Sequence, residues 1–546
     1  MSSRTRETLL ILTLAVAVVG STVALMRRSD NYAFFDPLID VKTILDRTYV
    51  REIDEDALQQ AAIAGMIEQL DDPYTMYVPP AQAGEFNKEL SGEYVGIGAE
   101  VSMVDGVLTI VNPMEDSPAL AAGLQPDDRV IAIDGDSTEG KSIEDCVSLL
   151  QGKPDTPVEL TIERNGRTLQ ITVVRAHIKT RDVKGFHRDP SVDGAWKFLI
   201  DPVNRIAYVR VARFTGQITD QVRDALRQAR GEAGGALGGI LLDLRDNPGG
   251  RLDEAIALSD LFLSEGVIVS TRGLHHEESV ARATRGQEFE TEPLVVLVNG
   301  FSASASEVVT GALADNGRAR VVGTRTFGKG SVQAVRPLPS KPGAVLKVTE
   351  QFYYLPSGRC LHRLPDSNEW GVDPSPGCFV PLDDEQRLAM LRARREQEIL
   401  RLDPASPSDE VHWSDPDWIV QTLRDPQLAR ALQVMQSRIA SGDWPPAPAG
   451  TETAPAVIAD ELSRASLQRD RLLRELDRVE KIIQTLEQGH EIASPRDLWP
   501  DEIELTGGTL IVRDREGRQV AELRITGEDL ERWLIDADVE PEGSDQ

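Results

Sequence analysis

Between Arg181 and Phe379 four short apolar runs, RIAYVRV, GGILLDLR, PLVVLVN and ARVVGT, are separated by helix-like stretches such as DEAIALSDLFL and SASEVVTGALADNG. The runs are continuous rather than alternating, so a strand built from each must be covered on both faces. No other feature constrains the chain as strongly. It predicts a buried, mainly parallel α/β sheet. At 546 residues the chain is too long for one core, and the pattern changes on either side of this region. Residues 31–91 read as helical, with apolar residues at three- and four-residue steps in DPLIDVKTILDRTYV and DEDALQQAAIAGMIEQL. Residues 92–178 carry β-branched runs broken by glycine and aspartate turns, with one helix near Ile143–Leu150, and read as a small β-rich module.

The α/β core is assigned to 179–380 and a further helical region to 381–450. Residues 451–546 continue a Pro/Ala/Thr linker that begins at Trp444, then carry a heptad-like run over Ile458–Gln488 and a hairpin-like stretch, TLIVRDREGRQVAELRIT. The heptad run is either a self-associating or adaptor-binding coiled coil, or a helix packed back on the core. At the other end, Leu9–Met26 is uncharged, with Arg4 and Arg6 before it and Arg27 and Arg28 after. That pattern predicts an uncleaved signal-anchor over 1–30, holding the rest of the chain on one side of a membrane. Acidic residues outnumber basic ones by 89 to 59, which argues against a nucleic-acid partner. Cys146, Cys360 and Cys378 include no CxxC pair, so no metal and no cofactor are expected. Cys360 and Cys378 are a candidate disulfide in an oxidising compartment.

Four segments carry chemistry. In GEYVGIGAEV, the glycines around Ile97 let backbone N–H groups turn toward an anion, so Val95, Gly96, Ile97 and Gly98 can capture a peptide carboxylate while the peptide adds a strand. In LLDLRDNPGG, an apolar strand ends at paired glycines, which suits an oxyanion donor. In PLVVLVNGFSASASEVVTGALADNG, a strand runs through small residues into a helix, and Ser302, Ser304 or Ser306 is the candidate nucleophile at its positive end. In RTFGKGSVQ, Lys329 stands between two glycines, and as a base it must lose its proton by burial, with Gln333 able to orient the amine.

With SPALAAGLQPDDRVIAIDG downstream, the β-module resembles a PDZ domain of the bacterial-protease type. DNPGG, SASASE, TFGKGSVQ and YYLPSGR, in that order over about Leu38–Gly377, resemble the C-terminal processing peptidases, or tail-specific proteases. The resemblance implies a serine endopeptidase with a protease core similar to the ClpP/crotonase fold and an inserted PDZ domain. It places the nucleophile on Ser304, the general base on Lys329, its orienting glutamine on Gln333, the oxyanion amides on Gly250 and Ala305, and a supporting role on Asp315. It also implies protein C-termini as substrates. With the anchor, it implies an inner-membrane location facing the periplasm or cell exterior. Many relatives have an arginine where this chain has Gln151, at the end of the PDZ helix. Two other readings fail on local grounds. None of the seven histidines sits in a catalytic motif, and GTRTFGKG lacks the Ser or Thr that a P-loop needs after its lysine. A catalytically silent PDZ scaffold is the alternative, opposed by the intact Ser304 and Lys329.

Overall fold

The computed structural model describes residues 33–447 except 84–85, 87–92, 105, 180, 189–194, 365–366, 368 and 400–411. It also describes scattered helical positions between 458 and 476 and the strands at 509–513 and 519–524. It divides into two compact units, one formed by the chain up to Pro80 with Val335–Val348, the other by Ala81–Ala334 with everything from Thr349 onward.

In the first unit, helix α1 (Asp36–Thr48) and helix α2 (Glu55–Glu68) form as their periodicity predicts, and the Asp54 side chain caps α2 by accepting from Ala57 N–H. Neither helix buries a residue. Strand β1 (Met76–Val78) pairs antiparallel with Val345–Lys347.

The second unit begins with the β-module. Strand β2 (Glu93–Gly96) pairs antiparallel with β3 (Ala176–Lys179), and the remaining strands of the module form a sheet over a core that includes Leu108, Ile110, Val130, Leu160 and Ile162, all fully buried. Helix α3 (Ile143–Leu150) starts at Ser142, whose hydroxyl accepts from Asp145 N–H. Its C-terminal carbonyls are met by Arg175, which donates to Leu149 O and Leu150 O, while Gln151 is the capping residue.

The four apolar runs become the parallel strands β4 (Ile206–Val211), β5 (Gly239–Asp243), β6 (Leu294–Val298) and β7 (Ala319–Gly323), adjacent in that order and buried almost throughout. Side chains alternate between two cores, as the two-residue period of a strand requires. Val209, Leu242, Val296 and Val321 face helices α4 (Ile218–Glu232), α5 (Leu252–Phe262) and α6 (Ala305–Asp315). Tyr208, Leu241, Val295 and Val322 face helix α7 (Pro426–Ser441) through Leu428, Leu432 and Met435. Each fully buried aliphatic contributes about 1.5–3 kcal/mol, so coverage on both faces holds the sheet as the continuous runs predicted. Strand β8 (Val345–Tyr354) pairs antiparallel through Phe352–Tyr354 with Ser270–Arg272, and Thr509–Arg513 pairs antiparallel with Gln519–Arg524.

Two expectations are corrected. Among the described residues no helix is long and apolar enough to cross a membrane. The longest, α7, has 16 residues, about 24 Å of rise against a hydrocarbon core of about 30 Å. Leu9–Met26, the stretch behind the membrane-anchored, periplasm-facing placement, lies outside the described residues, and that placement is withdrawn. Cys360 and Cys378 are free thiols. Cys378 is buried in the core beneath α7, so no disulfide joins them. Most of the heptad run also lies outside the described residues.

Candidate active site

The three serines that sequence left equivalent are separated by long-range hydrogen bonds. Ser302 Oγ donates to Leu244 O at 2.8 Å and Ser306 Oγ donates to Asn247 O at 3.0 Å, both fully buried. They stitch the turn between β6 and α6 onto the DLRDNPGG loop. Ser304 has neither role. It is the residue before α6, with φ 56° and ψ −114°, a conformation that costs a non-glycine residue roughly 1–3 kcal/mol.

Glu307, one turn into α6, holds the turn from the other side. Its fully buried carboxylate accepts from Ser304 N–H (2.8 Å), Thr326 Oγ1 (2.6 Å), Gly328 N–H (2.7 Å) and Lys329 N–H (2.8 Å). The backbones of Ser304 and Lys329 therefore share one carboxylate. Burial pushes the Glu307 pKa up, and the four hydrogen bonds offset only part of that rise. The glycines around Lys329 are required by close approach. A methyl group on Gly328 would lie 2.5 Å from Trp370 Cδ1, and one on Gly330 would lie 2.3 Å from His362 N.

Lys329 itself is half-buried. Among the described residues no hydrogen bond joins its amine to Ser304 or to Gln333. The Gln333 amide instead donates to Ser331 Oγ (2.7 Å) and Thr349 Oγ1 (3.2 Å). The structure thus ties the Ser304 and Lys329 backbones to one carboxylate.

The glycine loop lies directly against the Ser304 turn. Asn247 fixes it, its amide donating to Val211 O (2.8 Å) and its Oδ1 accepting from Gly249 N–H (2.9 Å), while its carbonyl accepts from Ala303 N–H (3.0 Å). At Gly249 (φ 97°) a methyl group would sit 2.8 Å from Ser304 Cβ and 3.0 Å from Ala305 N, so only glycine admits this contact. Neither Gly250 N–H nor Ala305 N–H donates to a partner among the described residues. Ala305 is the first residue of its helix, where the N–H has no intrahelical acceptor.

Behind the loop lies a fully buried ion cluster. Arg245 donates to Asp243 and, with NH1 and NH2 at 2.7 and 2.9 Å, to Asp425 at the start of α7. Burial alone would raise the Asp243 carboxyl, but the Arg245 charge and hydrogen bonds outweigh it and hold the pKa at about 2. Helix α8 (Asp384–Glu398) reaches the same loop, since Arg387 and Arg394 donate to Asp246 at 3.1 and 2.9 Å. Its other end touches the β-module, where Glu398 O accepts from Asn112 and Arg395 donates to Glu100.

The remaining residues singled out from sequence lie apart. Asp315 is the last residue of α6 and accepts from Ser357 N–H at 3.1 Å; an 11-residue helix places it about 15 Å from Ser304. Val95 and Gly96 pair with β3, Ile97 is buried in the module core, and Gly98 (φ 75°) would place a methyl group 2.5 Å from Ser117 Cβ.

A strained serine beside a glycine loop and a lysine segment, downstream of a PDZ-like module, defines a PDZ-containing serine peptidase. Comparison with known proteins agrees. Family models match residues 205–374 as Peptidase family S41, 109–164 as PDZ domain and 28–80 as Activating protease CtpB N-terminal domain. The "Carboxy-terminal-processing protease" of Bartonella bacilliformis is 33% identical over 80% of this chain and 96% of its own. A "Probable CtpA-like serine protease" of Staphylococcus saprophyticus is 35% identical over 64% of this chain and 69% of its own. Among solved structures, a photosystem II D1 C-terminal processing protease is 28% identical over 63% of this chain and 88% of that one, with a TM-score of 0.37. The chain belongs to peptidase family S41, with the carboxy-terminal-processing proteases.

Proposed function

We propose that this serine peptidase receives a protein C-terminus on its PDZ module by strand addition at Val95–Gly98 and cleaves the threaded chain with Ser304 as nucleophile and Lys329 as base. Neutral Lys329 takes the Ser304 proton, and Ser304 Oγ attacks the scissile carbonyl. The N–H groups of Gly250 and Ala305 hold the oxyanion, and Lys329 protonates the leaving amine before water releases the acyl-enzyme. Gln333 orients the amine once the Lys329 side chain swings to Ser304, and Asp315 supports the end of α6. The reading rests above all on the Glu307 carboxylate, which takes N–H bonds from both Ser304 and Lys329. The proposed core is ClpP/crotonase-like, flanked by a helical region over 31–91, a PDZ domain over 92–178, and helical and coiled-coil regions after 380. Self-association through Ile458–Gln488 rests on the heptad pattern, and sedimentation of a chain ending near residue 456 tests it.

The test of the function is incubation with an unstructured protein bearing an apolar C-terminus. The wild type cleaves it, while Ser304→Ala and Lys329→Ala do not. Cleavage persisting in either variant contradicts the assignment, and peptide binding without cleavage by the wild type favours the silent scaffold.

A further inference from the structure

Helix α8 turns a charged face inward. Residues at three- and four-residue steps share one face of a helix, and here that face carries Arg387, Met390, Arg394 and Glu398. Of the helix's residues only Met390 is fully buried. A helix that served only to cover a core would present an apolar stripe instead. Arg387 and Arg394 find their acceptor on the loop that ends in Gly249 and Gly250, both donating to Asp246, at 3.1 and 2.9 Å. Asp246 sits at φ 59°, a left-handed conformation that a non-glycine residue keeps only when its surroundings hold it. From the other side it is held by the end of β6. Its N–H donates to Asn299 Oδ1 (3.0 Å) and its Oδ1 accepts from Asn299 Nδ2 (3.1 Å), while Asn299 Oδ1 also accepts from Phe301 N–H (3.1 Å). The Arg387 guanidinium carbon lies over the Phe301 ring, 3.9 Å from its centroid. One side chain therefore spans the glycine loop and the turn that leads into Ser304. Helix α8 lies beyond 205–374, the stretch that the family model matches.

We propose that Arg387 is a positioning residue for the peptidase reaction: by binding Asp246 and covering Phe301 it fixes the glycine loop against the Ser304 turn, so that the Gly250 and Ala305 N–H groups converge on one oxyanion. This rests on Ser304 being the nucleophile and on those two N–H groups being the oxyanion donors. Arg387 acts through the two segments rather than on the substrate. Donors of this kind help only when they are held in place beforehand, and a misplacement of about 1 Å can cost about 100-fold in rate. Arg394 shares the load, since it holds the second Asp246 oxygen. Burial alone would raise the Asp246 carboxyl, but the Arg394 charge and the Asn299 hydrogen bond outweigh it and hold the pKa below the usual carboxylate range, so the acceptor is ionised at neutral pH.

Arg387→Met in the full chain keeps an unbranched stem and removes the guanidinium, and Asp246→Asn keeps an oxygen for Asn299 and removes the charge. The readouts are the rate at which a small fluorophosphonate labels Ser304, kcat and KM on the unstructured substrate, and affinity for a PDZ-bound peptide. Each single variant is expected to lose about 5- to 20-fold in labelling and kcat, with KM and peptide affinity within about twofold of wild type. The double variant should lose no more than about twofold beyond Asp246→Asn alone, because both changes act through one contact. Labelling and kcat within twofold of wild type in both single variants overturn the proposal, and so do losses that multiply in the double variant. Arg387→Lys keeps a charge for Asp246 and should recover labelling to within about threefold of wild type. A loss of about fivefold or more in Arg387→Lys overturns the proposal, and this variant carries the test if Arg387→Met does not fold. Ser304→Ala separates the two layers. If it is still labelled, the nucleophile assignment fails. If it is not labelled while Arg387→Met and Asp246→Asn react normally, only the role of Arg387 fails.

Discussion

Replacing Glu307 with glutamine keeps the side chain's size and halves its capacity to accept. The carboxylate now takes four hydrogen bonds, two on each oxygen. If the glutamine oxygen stays with Ser304 N–H and Lys329 N–H, its NH2 faces Gly328 N–H and the Thr326 hydroxyl, which already accepts from Val372 N–H. One or two buried donors then have no acceptor, at about 1–3 kcal/mol each. Relief of the buried charge returns part of that, leaving a net loss of about 2–4 kcal/mol. Activity should fall further than stability suggests, because the Ser304 and Lys329 segments no longer share an acceptor. Urea denaturation measures the first effect and fluorophosphonate labelling of Ser304 the second, with labelling expected to drop by about tenfold or more. A Glu307→Gln protein that unfolds within about 0.5 kcal/mol of wild type and labels within twofold would refute this reasoning.

Ser302→Ala and Ser306→Ala should each lower stability by about 1–3 kcal/mol through the abandoned Leu244 and Asn247 carbonyls, yet leave Ser304 open to labelling; only Ser304→Ala should abolish it. Gly249→Ala should inactivate the enzyme and spare PDZ peptide binding, since the added methyl meets Ser304 Cβ at 2.8 Å; unchanged turnover would contradict the loop contact. Asp243, held at about 2 in the fold against about 3.9 when unfolded, contributes stability present above the unfolded value and lost as pH falls from about 4 through about 2. Chemical denaturation over that window should show a loss on the order of 2 kcal/mol, and a flat profile there would contradict the Arg245 pairing.

The parallel sheet was legible because its strands are buried on both faces, which leaves no alternation to confuse with a surface strand. Local reach ended at the site. Ser302, Ser304 and Ser306 are alike in composition, and what distinguishes them is a set of bonds to residues almost sixty positions earlier in the chain. Glu307 did have a local signal, the Ser-x-x-Glu spacing of a capping box. Its partners on the Lys329 segment did not, because they come from the far side of β7. Asn247 was visible only as a turn residue within DNPGG. Arg245 pairs with Asp425 across 180 positions, and no periodicity reports such a contact.

Lys329→Arg tests the central claim most directly, because arginine keeps the charge and much of the length but cannot give up its proton to serve as a base. The measurement is the pH dependence of Ser304 labelling in the wild type and in this variant, with PDZ peptide binding as a check on folding. In the wild type the rate should rise with pH along a single ionisation, that of Lys329. In the variant labelling should be lost at every pH while peptide binding is retained. A Lys329→Arg protein that labels at the wild-type rate would show that the base lies elsewhere.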